Sequence, residues 1–394
     1  MSEWKKVKLG DYINVLSGFA YKSKDFSDSG IPVIKIKNVC PPYISLEDLS
    51  FVPNSIAFQN PRYILKKGDV LIAMTGSHIN QIASVVGRVG RVRYDDITVL
   101  NQRVGKIVNK NDDRSSLDYI YYFLSQYEVK VELAQKAGGA ANQANISPSD
   151  IKDLLFPCPP IEVQNKIATI LSRYDSLIEN YQKQIKLLEE AAQRLYKEWF
   201  VDLRYPGHEN TKIVDGVPEG WEKRTITDVF DFKYGKILPT KDFVEEGPIP
   251  VYGASKQIGN YTIANCFEPK VLVGSRGNAG FVHRTIENET YVTNNSFIVT
   301  PLVRYDYLRL PFIFESFKLM DFVAICTGAA QPQLTLNSIA SLKYIVPSRD
   351  VVVRYCDIST SYFENISMAY KRIRLLTEAR DRLLPKLMSG EIEV

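Results

Sequence analysis

The chain contains itself twice. Ala140-Ala141-Asn142-Gln143 matches Gly328-Ala329-Ala330-Gln331 at an offset of 188 residues, and the offset then holds without a gap. Ile151 pairs with Ile339, Leu154 with Leu342, Pro159 with Pro347, Tyr174 with Tyr362 and Ile178 with Ile366. Further on, Lys183, Ile185, Leu187 and Leu188 pair with Lys371, Ile373, Leu375 and Leu376, and Arg194-Leu195 with Arg382-Leu383. The two starts also match, Trp4, Lys6, Leu9 and Asp11 with Trp221, Lys223, Ile226 and Asp228, at an offset of 217. One unit is therefore used twice, and its first copy carries 29 extra residues. A repeat is the first thing to settle, because missing it misassigns the whole fold. The length is constant over the later part of each copy and variable over the earlier part. A fixed frame with variable readers gives that pattern, and so does drift in loops.

The constant part is helical. From Ile161 to Phe200 there is neither proline nor glycine. Leu171, Tyr174, Ile178, Tyr181, Ile185, Leu188, Ala192, Leu195 and Trp199 follow in steps of three and four, a heptad seam. The second copy repeats it at Tyr362, Ile366, Ala369, Ile373, Leu376, Leu383 and Leu387, with Arg380 as a polar interruption. Pro385 is expected to end or kink that helix. An apolar seam needs a partner, and the simplest partner for each seam is the other. The expected class is α+β: two pseudo-symmetric strand-rich globular domains separated by two long antiparallel coiled-coil helices. Residues 1–159 and 221–349 are the globular domains, 160–200 and 350–394 the helical segments, and 201–220 a linker rich in Pro-Gly and Asp-Gly turns. Strands are expected at Ile31–Lys37, Asp69–Ala73, Lys270–Val273 and Ser296–Thr300, and helices at Leu117–Glu128 and Leu308–Phe322.

Composition removes several classes of function. The 394 residues are 45% apolar and 24% charged, ordinary for a globular chain of two or three domains. The cysteines (Cys40, Cys158, Cys266, Cys326, Cys356) show no CxxC pair, so neither a disulfide framework nor a zinc site is expected. With no apolar leader and no run of membrane-spanning length, the expectation is a soluble protein of a reducing prokaryotic cytoplasm. The net charge is +4, and residues 1–159 hold all of it, with 20 Lys and Arg against 16 Asp and Glu. So small an excess is compatible with phosphate contacts and does not argue for them. With histidines only at 78, 208 and 283, metal or triad chemistry has little to work with. Neither Asn60-Pro-Arg-Tyr63 nor Cys158-Pro-Pro-Ile161 is the Asn/Asp-Pro-Pro-aromatic motif that an adenine methyltransferase needs.

Several stretches then converge on one resemblance. They are Trp221 after Pro218-Glu219-Gly220, Ile249-Pro-Val-Tyr-Gly253, Gly274-Ser-Arg-Gly-Asn-Ala-Gly280 and Thr293-Asn-Asn-Ser296. The Ala/Gln-rich stretches at 140–147 and 328–335 and the ending Arg382-Leu-Leu-Pro-Lys-Leu-Met-Ser-Gly-Glu-Ile392 complete the set. In this order, duplicated and joined to two heptad helices, the chain resembles a type I restriction-modification specificity subunit over its full length. The resemblance implies a non-catalytic chain with two target recognition domains, each reading half of a split site in double-stranded DNA. It implies helices that act as a ruler and dock two methyltransferase subunits, which bring S-adenosylmethionine, while this chain binds no cofactor or metal itself. Motor-nuclease subunits would join that core.

Sequence is read by polar side chains at base edges, while Lys, Arg and backbone N–H groups hold phosphates. In the second copy the candidates are Arg276 and Asn278, in a glycine-rich loop after a strand, with Tyr252, Ser255 and Lys256 behind them. The loop is not a P-loop, because no Gly-Lys-Ser/Thr follows. In the first copy the matching loop is Thr75-Gly-Ser-His-Ile-Asn-Gln81, which offers Ser77, His78, Asn80 and Gln81, followed by Arg88 and Arg91. Lys35, Lys37 and Asn38 lie at a strand end. Asn101-Gln-Arg103 matches Asn294-Asn-Ser296 roughly in position, and Asn294 and Asn295 are turn or cap residues as readily as readers. Gln143 and Gln331, matched across the repeat, fit a structural junction as well as a DNA contact. Two rival readings remain: a coiled-coil scaffold without DNA function, which leaves the strand-rich domains unexplained, and a specificity subunit of a system in which methylation and cleavage are fused in one partner.

Overall fold

The computed structural model describes residues 4–77, 86–138, 144–328 and 331–394. The chain forms two compact units, residues 1–177 with 376–394, and residues 178–375. Each is built on the same plan.

In the first unit the central strand is Val70–Ala73, buried at all four positions. It lies between Val104–Asn109 and Val89–Arg91, antiparallel to both. A continuous apolar run is what a strand covered on both faces requires. Ile13–Ser17 flanks Val104–Asn109 on the far side. A second sheet pairs Ile31–Ile34 in parallel with Thr98–Leu100. Helix Leu117–Ser125, with every residue from Tyr119 to Leu124 buried, covers the core. A clamp closes the unit: Lys6–Lys8 pairs antiparallel with Leu155–Pro157. In the second unit Val271–Gly274 is the central strand, between Ser296–Pro301 and Val282–Arg284. Ile249–Tyr252 pairs in parallel with Tyr291–Val292, helix Leu310–Lys318 covers the core, and Glu222–Thr225 pairs with Lys343–Val346 as the clamp. Every one of these elements has its counterpart in the other unit, so the duplication read in the sequence is a duplication of topology.

Several expected elements are shorter than the sequence suggested. Strand Ile31–Ile34 gives way to a 3-10 turn at Ile36–Asn38. The helix expected over 117–128 stops at Ser125, where Gln126 is extended (φ −65°, ψ 143°), and a second helix runs Tyr127–Lys136. The stretch 201–220 contains a small hairpin, Ile213–Val214 with Val217–Pro218. Its turn residues Asp215 and Gly216 both have positive φ, 50° and 78°, the backbone of a two-residue type I′ hairpin.

The two long helices are Ile161–Tyr196, 36 residues, and Arg349–Ser389, 41 residues. A π-helical turn, Lys197–Val201, continues the first. Each contributes residues to both units. In the second unit Ile185 clusters with Ile366 and Ala369, and Tyr181, Leu188 and Ile373 pack on that cluster. Arg372 donates to the Tyr181 hydroxyl at 2.9 Å, while Tyr196 packs on Tyr355 with ring centroids 5.9 Å apart. Rising numbers on one helix meet falling numbers on the other, so the segments run antiparallel there. In the first unit Ile167, Ala168 and Leu171 share the core with Leu384, Leu387 and Met388.

Pro385 does not end its helix, which continues to Ser389. A proline inside a helix costs about 3 kcal/mol through its missing N–H and ring clash. Leu384, Leu387 and Met388 are each buried in the first unit's core, and burying such a side chain contributes roughly 1.5–3 kcal/mol. Their burial outweighs the break. Among the described residues no helix is long and apolar enough to cross a membrane.

Candidate nucleic-acid interface

At the C-terminal end of each central strand the chain is stitched by the same backbone hydrogen bonds. In the first unit these are Gly18 N to Val104 O (3.2 Å), Phe19 N to Leu100 O (2.9 Å), Gln102 N to Phe19 O (2.9 Å), Met74 N to Arg103 O (3.0 Å) and Ile146 N to Met74 O (2.9 Å). In the second they are Gly235 N to Ser296 O (3.1 Å), Lys236 N to Val292 O (3.0 Å), Asn294 N to Lys236 O (3.1 Å), Ser275 N to Asn295 O (2.7 Å) and Leu334 N to Ser275 O (2.9 Å). Glycine is required at the first position of each set. A Cβ on Gly18 would stand 2.3 Å from the Asn101 carbonyl oxygen, and one on Gly235 would stand 2.3 Å from that of Thr293. The bonds align Phe19 with Lys236, Gln102 with Asn294, Arg103 with Asn295, and Met74 with Ser275. Asn101-Gln-Arg103 therefore corresponds to Thr293-Asn-Asn295, one residue earlier than the sequence match suggested.

The second unit gathers most of its sequence candidates at this end. Ser255 and Lys256 follow strand Ile249–Tyr252, and Arg276 and Asn278 follow Val271–Gly274. The two loops are locked together: Asn278 Nδ2 donates to Ser255 Oγ at 2.7 Å, and a Cβ on Gly274 would meet the Asn278 and Ala254 carbonyl oxygens at 2.2 and 2.6 Å. Gly277 has φ +79° and faces open space, so the loop turns outward there. Arg276 bridges Gln333 through its backbone, while its exposed guanidinium has no partner among the described residues. Tyr252 does not belong to this surface. It is 5% exposed, and its hydroxyl donates to Glu287 at 3.0 Å and accepts from Ile286 N. Burial and the neighbouring Glu287 carboxylate push its pKa well up, so it is a neutral core residue.

The first unit divides its candidates. Lys35, Lys37 and Asn38 sit on the 3-10 turn after strand Ile31–Ile34, not on the strand. Asn38 is buried and holds that turn: its Oδ1 accepts from Lys35 N and its Nδ2 donates to Glu47 O, each at 3.0 Å. Lys35 donates to Ser50 Oγ at 2.8 Å and lies 4.0 Å over the Phe26 ring; burial draws its pKa down. Lys37 is exposed and paired with Asp48. Arg88, half-buried, donates to Ile36 O at 3.1 Å, so it belongs to the same patch. Arg91 does not. It is 6% exposed, lies 4.3 Å from the Tyr121 ring and pairs with Asp118 at 2.8 Å. It ties strand Val89–Arg91 to the covering helix. Ser77 is buried. His78, Asn80 and Gln81 lie outside the described residues.

Gln102 and Arg103 are exposed, and Asn294 and Asn295 half-exposed, on turns whose backbones are fixed by the bonds above. Their side chains have no hydrogen bond or ion pair among the described residues. The sequence offered one signal for them, the recurrence of an Asn-led polar triplet after a strand. Among the described residues no group of three or more His, Cys, Asp and Glu side chains could hold a metal ion.

Comparison with known proteins identifies the family. The family model described as type I restriction modification DNA specificity domain matches residues 1–190 and again 218–368. Over all of its length the chain is 24% identical to the type I restriction enzyme MjaIX specificity subunit of Methanocaldococcus jannaschii, of which it covers 94%. It is also 24% identical to the EcoBI specificity subunit of Escherichia coli, with 99% of this chain and 86% of that one covered. The fold is similar to the crystal structure of a type I restriction-modification S subunit from M. genitalium, with a TM-score of 0.62, 19% identity, and 98% and 96% of the two chains covered.

Proposed function

Because the chain belongs to the type I restriction-modification DNA specificity family, the component that recognises DNA and not the one that catalyses, we propose that each of its units reads one half of a bipartite DNA site. The observation that carries this is the shared scaffold. Both units end their central strand in loops pinned by the same backbone bonds. They present unlike polar side chains there: Gln102 and Arg103 in one, Asn294, Asn295, Arg276 and Lys256 in the other. A rigid backbone with free side chains suits base reading, because the ordering cost is met in folding, before DNA arrives. One scaffold with two sets of side chains yields two different half-sites.

In this reading the chain works beside two methyltransferase subunits, with motor-nuclease subunits added for cleavage. The methyltransferases supply S-adenosylmethionine and take the target adenine out of the stack. The chain's own charge supports a division of labour. An excess of four positive charges neutralises few phosphates, and phosphate contacts dominate affinity, so the partners supply most of the grip and this chain the choice of sequence. Arg276→Ala tests the assignment. Fluorescence anisotropy of the assembled complex on its methylated motif should show weakened discrimination in one half-site, on the order of 1–3 kcal/mol for a lost bidentate base contact. Equal loss in both halves, or no loss, contradicts it.

A further inference from the structure

Resting on the reading that this chain selects DNA sequence, we propose that the turn dipeptides Gln102-Arg103 and Asn294-Asn295 are equivalent specificity-determining positions, with Gln102 and Arg103 choosing adenine and guanine in one half-site and Asn294 and Asn295 choosing adenine in the other. The sequence offers for them only the rough match of two polar triplets. The structure singles them out by what their atoms do.

Their backbones are fixed. Gln102 N and Arg103 O are bonded to Phe19 O and Met74 N, and Asn294 N and Asn295 O to Lys236 O and Ser275 N. Asn295 O also accepts from Arg276 N at 3.4 Å, so the turn touches the outward loop directly. Their side chains have no partner among the described residues, unlike Asn38 and Tyr252, whose polar atoms are occupied within the fold. A fixed backbone limits each side chain to a few positions, and free donors and acceptors on it are available to a ligand. Both turns leave the end of a strand that runs parallel to its neighbour, Thr98–Leu100 and Tyr291–Val292. They differ in chemistry while sharing geometry. Arginine presents two N–H donors in the plane that matches guanine O6 and N7, and the amides of Gln and Asn present one donor and one acceptor, which match adenine N7 and N6.

The test exchanges the dipeptides in the full chain assembled with its methyltransferase. The first variant is Gln102→Asn with Arg103→Asn, the second Asn294→Gln with Asn295→Arg, and the readout is the methylated motif by sequencing. The expected result is that the first exchange changes base choice in one half-site, with a roughly ten- to hundred-fold loss of preference for guanine. The second should introduce a guanine preference in the other half-site and leave the first untouched. Melting temperatures should match the wild type, because these side chains make no hydrogen bond or ion pair among the described residues. An unchanged motif from folded variants overturns the proposal, and so does a uniform loss of methylation across all sequences, which marks a phosphate contact. If one exchange destabilises its unit, the other decides. A wild-type complex that methylates no bipartite motif overturns the specificity reading itself, an outcome distinct from an intact motif indifferent to the exchange.

Discussion

His283 lies on an edge strand of the second unit, 8% exposed, between the rings of Tyr252 and Phe281 at 6.3 and 6.2 Å. Its Nε2 meets Ser296 Oγ at 3.3 Å, and Nδ1 has no partner among the described residues. Burial holds its pKa down at about 4, against 6.5 for an ordinary imidazole. In the unfolded chain His283 takes up a proton below about pH 6.5, and in the fold only near 4. The unfolded state therefore binds more protons in that window, so the contribution is complete above pH 6.5 and is lost as pH falls toward 4. The shift corresponds to at most about 3 kcal/mol. Thermal unfolding of the wild type should lose stability between pH 6.5 and 4 more steeply than that of His283→Leu; equal slopes would contradict the assignment. Single residues were also where the sequence misled most. A charged side chain on a strand reads as exposed, yet Arg91 is buried over Tyr121. Arg284, its counterpart opposite Val271, stacks on Phe363 at 4.9 Å. Burial of an arginine depends on which ring the fold brings to it, and no local pattern encodes that.

At the scale of elements, helices were the legible part. The seam residues Tyr181, Ile185, Leu188, Ile366, Ala369 and Ile373 meet in one cluster, because a heptad period follows from helix geometry alone. Strand ends were less legible, since ladders are set by distant partners. Arg380, a break in the seam by sequence, has a specific use in the first unit. It donates to Asp175 at 2.8 Å, and Asp175, 1% exposed, also accepts from the Tyr122 hydroxyl at 2.7 Å. The matching positions of the repeat are Phe363 and Ala192, both buried and apolar. Removing one partner of a buried ion pair leaves a desolvated charge, whereas an apolar pair of fitting volume is tolerated. Arg380→Ala should cost about 3 kcal/mol or more in urea unfolding. Asp175→Phe combined with Arg380→Ala, which installs the apolar pair of the other repeat, should cost clearly less than the sum of the single changes. Strict additivity would mean the two side chains act independently.

For the whole molecule, the repeat was readable because its helical frame keeps one length, and most of the extra residues of the first copy fall in strands and turns before Thr98 that the second copy lacks. The proposed readers were only partly legible. Arg276 and Asn278 lie where the sequence put them, but the turns beside them emerged from backbone bonds between segments far apart in the chain. If helix length sets the spacing of the half-sites, deleting one heptad from each long helix removes about 10 Å at 1.5 Å per residue, roughly three base pairs. The motif methylated by such a folded variant should have a shorter spacer, and an unchanged spacer would exclude the ruler. What this chain supplies, in the reading proposed above, is the choice of sequence. It is tested most directly by methylome sequencing of cells that carry its methyltransferase with and without it. A split motif, methylated on adenine, should appear only when both are present and should carry different bases in its two halves. The same motif produced by the methyltransferase alone would contradict that reading.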